Sequence, residues 1–209
     1  MIRVILCDDH AMVRRGIRET LSEAVDIQVC GEAGNYGEVK TLLREMHCDV
    51  LVLDLNLPGR SGLEILSSVR ETHPDVRVLI VSMYEADQYA IRCLRAGAYG
   101  YLNKAGDPAE IVAAVRALGN RRKYVTPEIS EMLVGTLSQP EDGHGHASLS
   151  EREMQTLLKI ASGKRLSEIA EELMLSPKTV SVYRARLLEK LKLSSNAELA
   201  VYATRNNLM

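Results

Sequence analysis

Asp8, Asp9 and Asp54 are carboxylates set directly behind apolar runs. Val4-Ile5-Leu6-Cys7 precedes Asp8-Asp9, and Val50-Leu51-Val52-Leu53 precedes Asp54. Four consecutive aliphatic residues predict a strand buried on both faces, as in a parallel sheet. A charge at the end of such a strand is costly unless something neutralises it. If the two strands are neighbours, three carboxylates share one crevice and repel one another until a cation or proton intervenes. A hard divalent ion gives the simplest relief, and Mg2+ accepts a few carboxylates while keeping some waters. An accessible carboxylate beside a metal can also accept a phosphoryl group covalently. The charge of that group then calls for a lysine from another strand end. Lys104 follows one apolar stretch, and Ser82 ends another with a hydroxyl suited to a phosphoryl oxygen. Each residue alone has a plainer reading: Asp8-Asp9 as a helix cap before His10, Asp54 with Asn56 and Pro58-Gly59 as turn chemistry, Lys104 and Ser82 as ordinary side chains. The set carries the weight.

The elements that must position this set are legible in the hydrophobic pattern. Strands are expected at 2–7, 27–31, 49–54, 77–82 and 98–102, with helices near 11–23, 36–46, 62–72, 86–96 and 107–119. This alternation predicts an α/β fold with helices on both faces of a parallel sheet. Right-handed crossovers leave few topologies, and five strands fit the doubly wound, flavodoxin-like order 2-1-3-4-5. That order puts the carboxyl ends of strands one and three side by side, where such folds bind ligands.

A further short helix is expected over 127–137, with Ile129, Met132, Leu133 and Leu137 on one face. The stretch "SQPEDGHGHAS" then ends the periodicity, so 138–148 reads as a flexible linker. His144 and His146 within it lack a nearby third ligand, which argues against a metal pair. From Leu149 onward the pattern is helical. Ser150 with Glu153 and Ser195 with Glu198 are capping-box signals, and Ser176-Pro177 starts a helix. Helices are expected near 151–162, 167–173, 177–191 and 196–206, the middle pair forming a helix-turn-helix. The domains expected are therefore 1–124, a helical extension and linker over 125–148, and a small all-α domain over 149–209.

Composition narrows the function further. The 209 residues are 46% hydrophobic and contain no Phe or Trp, so the core must be aliphatic with Met and Tyr. No apolar stretch approaches the ~20 residues of a membrane helix. The first apolar segment stops at Asp8, without a cleavage pattern, so a cytoplasmic protein with no membrane partner is expected. Cys7, Cys30, Cys48 and Cys93 form no CxxC pair and read as small buried hydrophobes. The net charge of −2 conceals a split: residues 126–147 hold four acids and no base, whereas 148–209 hold 10 basic against 7 acidic residues. A polyanion partner is expected at that basic end.

The first 120 residues resemble the receiver domain of two-component response regulators. The matching text is "CDDH" at 7–10, "LDLNLPGRSG" at 53–62, "IVSMYE" at 80–85 and "AGAYGYLNKA" at 96–105. The resemblance implies that Asp54 accepts phosphate from a sensor histidine kinase. Asp9, Asp54 and the backbone carbonyl of Asn56 would hold Mg2+, with Asp8 acting through water. Ser82 and Lys104 would bind the phosphoryl oxygens, and Tyr101 would turn inward as Ser82 moves. The phosphorylated domain would also lose its phosphate by autodephosphorylation, without being a metabolic enzyme. Many receivers have proline after this lysine, in a cis bond; here Ala105 stands there, where a cis bond costs more.

Residues 149–203 resemble the helix-turn-helix domain of the NarL/FixJ (LuxR-type) regulators, most closely over "LSPKTVSVYRARLLEKL". The residues agree with that likeness. Lys178, Arg184, Arg186, Lys190 and Lys192 face a single acid, Glu189, over 176–192. Val180, Leu187, Leu188 and Leu191 supply an apolar face toward Ile169, Ala170 and Leu173, leaving the opposite face for a major groove. Lys178, Thr179, Arg186 and Lys190 suit phosphate contacts. By family position Ser181, Val182 and Ala185 face the bases, with Tyr183 or Arg184 contributing. The resemblance implies double-stranded DNA with inverted half-sites, a homodimer paired through the last helix when phosphorylated, and RNA polymerase as a further partner. The whole chain reads as a transcription regulator controlled by a population shift on phosphorylation. An aspartyl phosphatase would carry a second acid where Asn56 stands, and a sensor of apolar ligands would want the Phe and Trp that are missing.

Overall fold

A computed structural model of the chain describes residues 1–57, 60–84, 86–137, 145–206 and 208. Residues 138–144 of the expected linker, His144 with them, and the Pro58-Gly59 turn lie outside the described residues. The chain divides into two compact units, Met1–Gln139 and Pro140–Met209.

In the first unit β1 (Ile2–Cys7), β2 (Ile27–Ala33), β3 (Val50–Leu53), β4 (Arg77–Ser82) and β5 (Gly100–Asn103) form one parallel sheet. Its order is β2-β1-β3-β4-β5. The connecting helices are α1 (Ala11–Ser22), α2 (Tyr36–Glu45), α3 (Gly62–Thr72), α4 (Ala86–Arg95) and α5 (Pro108–Gly119). β3 and β4 are buried along their whole length, as unbroken aliphatic runs require in a sheet covered on both faces. Successive side chains point to opposite faces. Val4, Leu6, Val50, Val52, Leu79 and Val81 accordingly share one core cluster with Leu21 of α1 and Ile111, Val115 and Leu118 of α5. α6 (Pro127–Leu137) packs on α4 and belongs to this unit, with Ile129 buried and Met132 and Leu133 half-buried.

Three strands differ from the sequence expectation, β3 only by being one residue shorter at each end than 49–54. β2 runs to Ala33, past the glycine expected to end it. Cys30 is the extra residue of a bulge opposite Val4 and Ile5, and its thiol reaches the Val4 carbonyl at 3.3 Å. Gly31 serves close packing: a Cβ there would lie 3.1 Å from a Leu42 methyl of α2. β5 starts at Gly100 rather than 98, because Ala96, Gly97 and Ala98 donate their N–H groups back to α4 carbonyls and close that helix. The cysteines form no disulfide among the described residues and, apart from half-buried Cys30, are buried; burial pushes the Cys48 thiol up to about 12 and the Cys7 thiol up as well.

The second unit opens with a 3-10 turn at His146–Ser148, inside the segment expected to be linker. The His146 N–H donates to the Tyr202 hydroxyl at 2.9 Å, which ties this turn to the last helix. Four helices follow: α7 (Glu151–Ala161), α8 (Leu166–Glu172), α9 (Pro177–Leu191) and α10 (Asn196–Arg205). α7 packs on α8, α9 and α10, and α8 on α9. The capping box at Ser150 and Glu153 forms as expected. The second expected box is altered: Ser195 accepts the Glu198 N–H, but the Glu198 carboxylate returns to the N–H of Ser194 instead. Among the described residues, no helix is long and apolar enough to cross a membrane.

Candidate functional site

The carboxyl ends of the strands gather the chemistry. Asp54 lies one residue beyond β3, yet its N–H still donates to the Cys7 carbonyl at 2.8 Å, continuing the β1–β3 ladder. That bond fixes Asp54 beside Asp8. On the other side of β3, the Lys104 N–H donates to the Ser82 carbonyl at 2.8 Å and continues the β4–β5 ladder. The residues stand where strand order puts them, held by backbone pairing rather than by loop geometry. α3 begins against this loop: a Cβ at Gly62 would come within 2.7 Å of the Asp54 carbonyl, so glycine alone permits the approach.

Lys104 answers the question of what neutralises Asp54. Its Nζ lies 2.6 Å from Asp8 Oδ2 and 2.8 Å from Asp54 Oδ2, with all three side chains buried. Asp54 Oδ1 is buried and has no hydrogen-bond partner among the described residues. Burial pushes the Asp54 carboxyl above its ordinary range, with Asp8 adding to the rise, and Lys104 only partly opposes it. Burial works against charge on Lys104 too, but Asp54 and Asp8 together hold its ammonium above the usual lysine value.

The helix-cap reading of Asp8-Asp9 does not hold. His10 is the N-cap of α1 and makes no side-chain cap bond, while Asp8 Oδ1 accepts the His10 N–H at 2.8 Å. Asp8, Asp9, His10 and Asp54 bring one ligand atom each within 4.8 Å of one another. His10 Nδ1 lies 2.8 Å from Asp9 Oδ1. The imidazole was not singled out in the sequence, although its place next to the acid pair was the available signal.

Ser82 is fully buried, and its Oγ accepts the Tyr84 N–H at 3.3 Å. Tyr101 is buried and points inward, its hydroxyl donating to the Tyr84 carbonyl at 2.6 Å. The Tyr84 hydroxyl donates to Asn56 Oδ1 at 3.1 Å, and its ring stacks on Tyr89 at 4.4 Å. Tyr84 thus connects Asn56, Ser82 and Tyr101, a role for which the sequence offered no sign. Among the described residues there is no cis peptide bond, so the Lys104–Ala105 bond is trans.

The second candidate surface is α9. Ser176 caps it by accepting the Thr179 N–H at 3.1 Å, and Met174 turns the chain from α8 in the left-handed conformation, at φ 52°. Of the apolar residues expected to anchor it, Val180 and Leu187 are buried, whereas Leu188 and Leu191 are only half-buried. A 3.6-residue period keeps 180, 187 and 191 in line and rotates 188 toward the edge, while Leu191 is the last residue of the helix. Lys178, Ser181, Val182, Ala185 and Arg186 are exposed, with Thr179, Tyr183 and Arg184 half-buried. Ser181 Oγ donates to the Pro177 carbonyl at 2.9 Å, and Arg184 Nε donates to Asn196 Oδ1. Lys190 is engaged differently from the others: its ammonium sits 2.7 Å from buried Glu153.

These two surfaces are matched by known families. Residues 4–116 match the response regulator receiver domain, and residues 147–203 match the bacterial regulatory proteins of the LuxR family. The chain is 39% identical over 210 residues to the response regulator GacA of Pseudomonas viridiflava, covering 100% of this chain and 98% of that one. It is 36% identical over 209 residues to the response regulator UvrY of Escherichia coli, covering 100% and 96%. The chain belongs to the NarL/FixJ family of response regulators.

A solved relative extends the match to three dimensions. RcsB of Salmonella enterica serovar Typhimurium, bound to promoter rprA in the presence of phosphomimetic BeF3-, is 27% identical with a TM-score of 0.67, covering 97% of this chain and 98% of that one. This response regulator therefore joins a receiver to a LuxR-type DNA-binding domain, as two-component transcription regulators do.

Proposed function

We propose that phosphoryl transfer to Asp54 in the 1–124 receiver controls DNA binding by the 149–209 reader, acting through residues 125–148. One observation carries this reading: Asp54 gives one buried oxygen to Lys104 and leaves the other without a partner among the described residues. Buried polar atoms are almost always hydrogen-bonded, and the exceptions mark sites that meet something else. The donor set fits a hard cation. Asp9, Asp54 and the Asn56 carbonyl would hold Mg2+, with Asp8 through water. Bound there, the ion supplies neutralising charge to the phosphoryl oxygens.

The donor is a phosphohistidine of a sensor kinase. An Asp54 oxygen forms the new O–P bond as the N–P bond breaks, and the electron pair stays on the imidazole. Lys104 then turns from Asp8 and Asp54 to the phosphoryl oxygens, beside the Ser82 hydroxyl. Tyr101, joined to Ser82 through Tyr84, registers that change. Autodephosphorylation by water resets the site.

At the reader, Lys178, Thr179 and Arg186 contact phosphates while Ser181, Val182 and Ala185 face bases, with Tyr183 and Arg184 beside them. Lys190 reaches a phosphate only by leaving Glu153. RcsB on its promoter supports this mode of binding. Exposed small and apolar residues of α10, Ala197, Val201 and Thr204, suit pairing of two subunits on inverted half-sites. RNA polymerase at the promoter and a cytoplasmic setting complete the reading.

Selection from a random duplex pool tests it. Protein treated with acetyl phosphate and Mg2+ should enrich paired, inverted half-sites, and Asp54→Asn treated alike should not. Equal enrichment by both proteins would contradict control through Asp54.

A further inference from the structure

The carboxyl ends of the strands carry the phosphoryl site, and their opposite ends frame a second cavity. It measures about 620 Å3 and opens where β3 and β4 begin. Leu43, Met46 and Val76 give it apolar walls, while Arg77, Arg121 and His73 give it basic ones. Small-molecule sites have this size and this mixture of apolar lining with a few convergent polar groups.

Arg77 is the group that demands an explanation. It is the first residue of β4 and only 7% exposed. Its N–H pairs with the Asp49 carbonyl, but its guanidinium makes no hydrogen bond or ion pair among the described residues. Arginine keeps its charge at every physiological pH and brings five donors. Two carboxylates line the same cavity, and neither serves it. Asp49 is already committed: Oδ2 accepts the Arg3 N–H at 2.8 Å and Oδ1 lies 3.1 Å from His47 Nε2. Asp75 is exposed and makes no ion pair among the described residues. None of the Arg77 nitrogens is among the buried atoms that lack a partner, so the guanidinium meets the water of the cavity, and an anionic head can take that water's place. Arg121 lines the same cavity from the end of α5. Its backbone is left-handed, at φ 60°, a conformation that asparagine tolerates better than most side chains.

We propose that this cavity binds a small organic anion, a carboxylate or phosphate head on an apolar body, with the head on Arg77. The body then lies against Leu43, Met46 and Val76. This site is at the far end of the sheet from Asp54 and does not depend on phosphorylation.

Amide NMR of the full chain tests the proposal, with inorganic phosphate and hexanoate as separate probes. Saturable shifts are expected at Cys48, Val76, Arg77 and Gly119, and roughly tenfold weaker binding in Arg77→Gln. Arg121→Asn, which keeps a residue suited to its backbone, should weaken binding by about threefold and carries the test if Arg77→Gln does not fold. Shifts with hexanoate alone assign a carboxylate head, and shifts with phosphate alone a phosphate head. No saturable shift at these amides, phosphate shifts confined to the Asp54 and Lys104 region, or parental affinity in the folded variants would each overturn it.

Discussion

Lys104 and Lys190 each set an ammonium against a buried carboxylate, and the two pairs do opposite things. Asp54 and Glu153 are both 2% exposed. Glu153 closes the capping box of α7, where its Oε2 accepts the Ser150 N–H at 2.7 Å and Lys190 at 2.7 Å. Lys190 spends a further donor on the Ser148 carbonyl. Asp54 shares its lysine with Asp8 and leaves Oδ1 unbonded among the described residues. Burial raises both carboxyls. At Glu153, Lys190 and Ser150 overcome it and hold the group below its ordinary value; at Asp54, burial prevails over Lys104. The bonds that hold Glu153 both fall on Oε2, whereas Asp54 seals an oxygen from water with no partner among the described residues, the oxygen that the proposed acceptor role uses.

The largest expected effect breaks the Asp54 pair. Lys104→Met leaves Asp8 and Asp54 buried without a counter-charge, so the first unit should lose about 3–5 kcal/mol in denaturant unfolding. Adding Asp54→Asn should restore part of that loss, since one of the stranded charges goes with it. Parental stability in the single variant would show that Lys104 does not neutralise the crevice.

The Glu153 pair should break more gently. Lys190 is 39% exposed, so water can take over part of its role. Lys190→Met should cost about 1–2 kcal/mol in the second unit, toward the lower part of the range for a buried acceptor left unpaired. The pH dependence sharpens the same point. Because the folded Glu153 carboxyl lies below its ordinary 4.5, it adds stability above that pH and loses it as pH falls through the folded value. Thermal unfolding of the second unit should therefore weaken on acidification below about 4.5, with a flatter curve in Lys190→Met. Coincident curves would remove Glu153 from the account.

The smallest structural effect falls on exposed Arg186. Arg186→Ala should leave stability within about 0.5 kcal/mol. It should weaken binding to every DNA sequence and reduce the salt slope by about one; an unchanged slope removes Arg186 from the phosphate contacts.

The sequence foretold the parts of the molecule that periodicity and strand order control. Aliphatic runs marked β1, β3 and β4, and a doubly wound order sufficed to bring Asp8, Asp54, Ser82 and Lys104 to one edge. Ser150 with Glu153 and Ser176-Pro177 marked helix starts through local capping chemistry. What stayed hidden was which side chains pair across the fold. Glu153 and Lys190 are 37 residues apart, and nothing local says that the lysine serves a carboxylate rather than a phosphate. Tyr84, the link from Asn56 to Tyr101, looked like any residue after a strand. Gly31 and Gly97 moved the strand ends for reasons of helix packing and helix closure that a strand pattern does not contain.

The central claim is that Asp54 stands ready to take a phosphoryl group, and intact mass spectrometry tests it most directly. The full chain is incubated with acetyl phosphate, with and without Mg2+, beside Asp54→Asn. One phosphoryl adduct that requires Mg2+ and is missing from the variant is the predicted result. No adduct, or an equal one on Asp54→Asn, would contradict it.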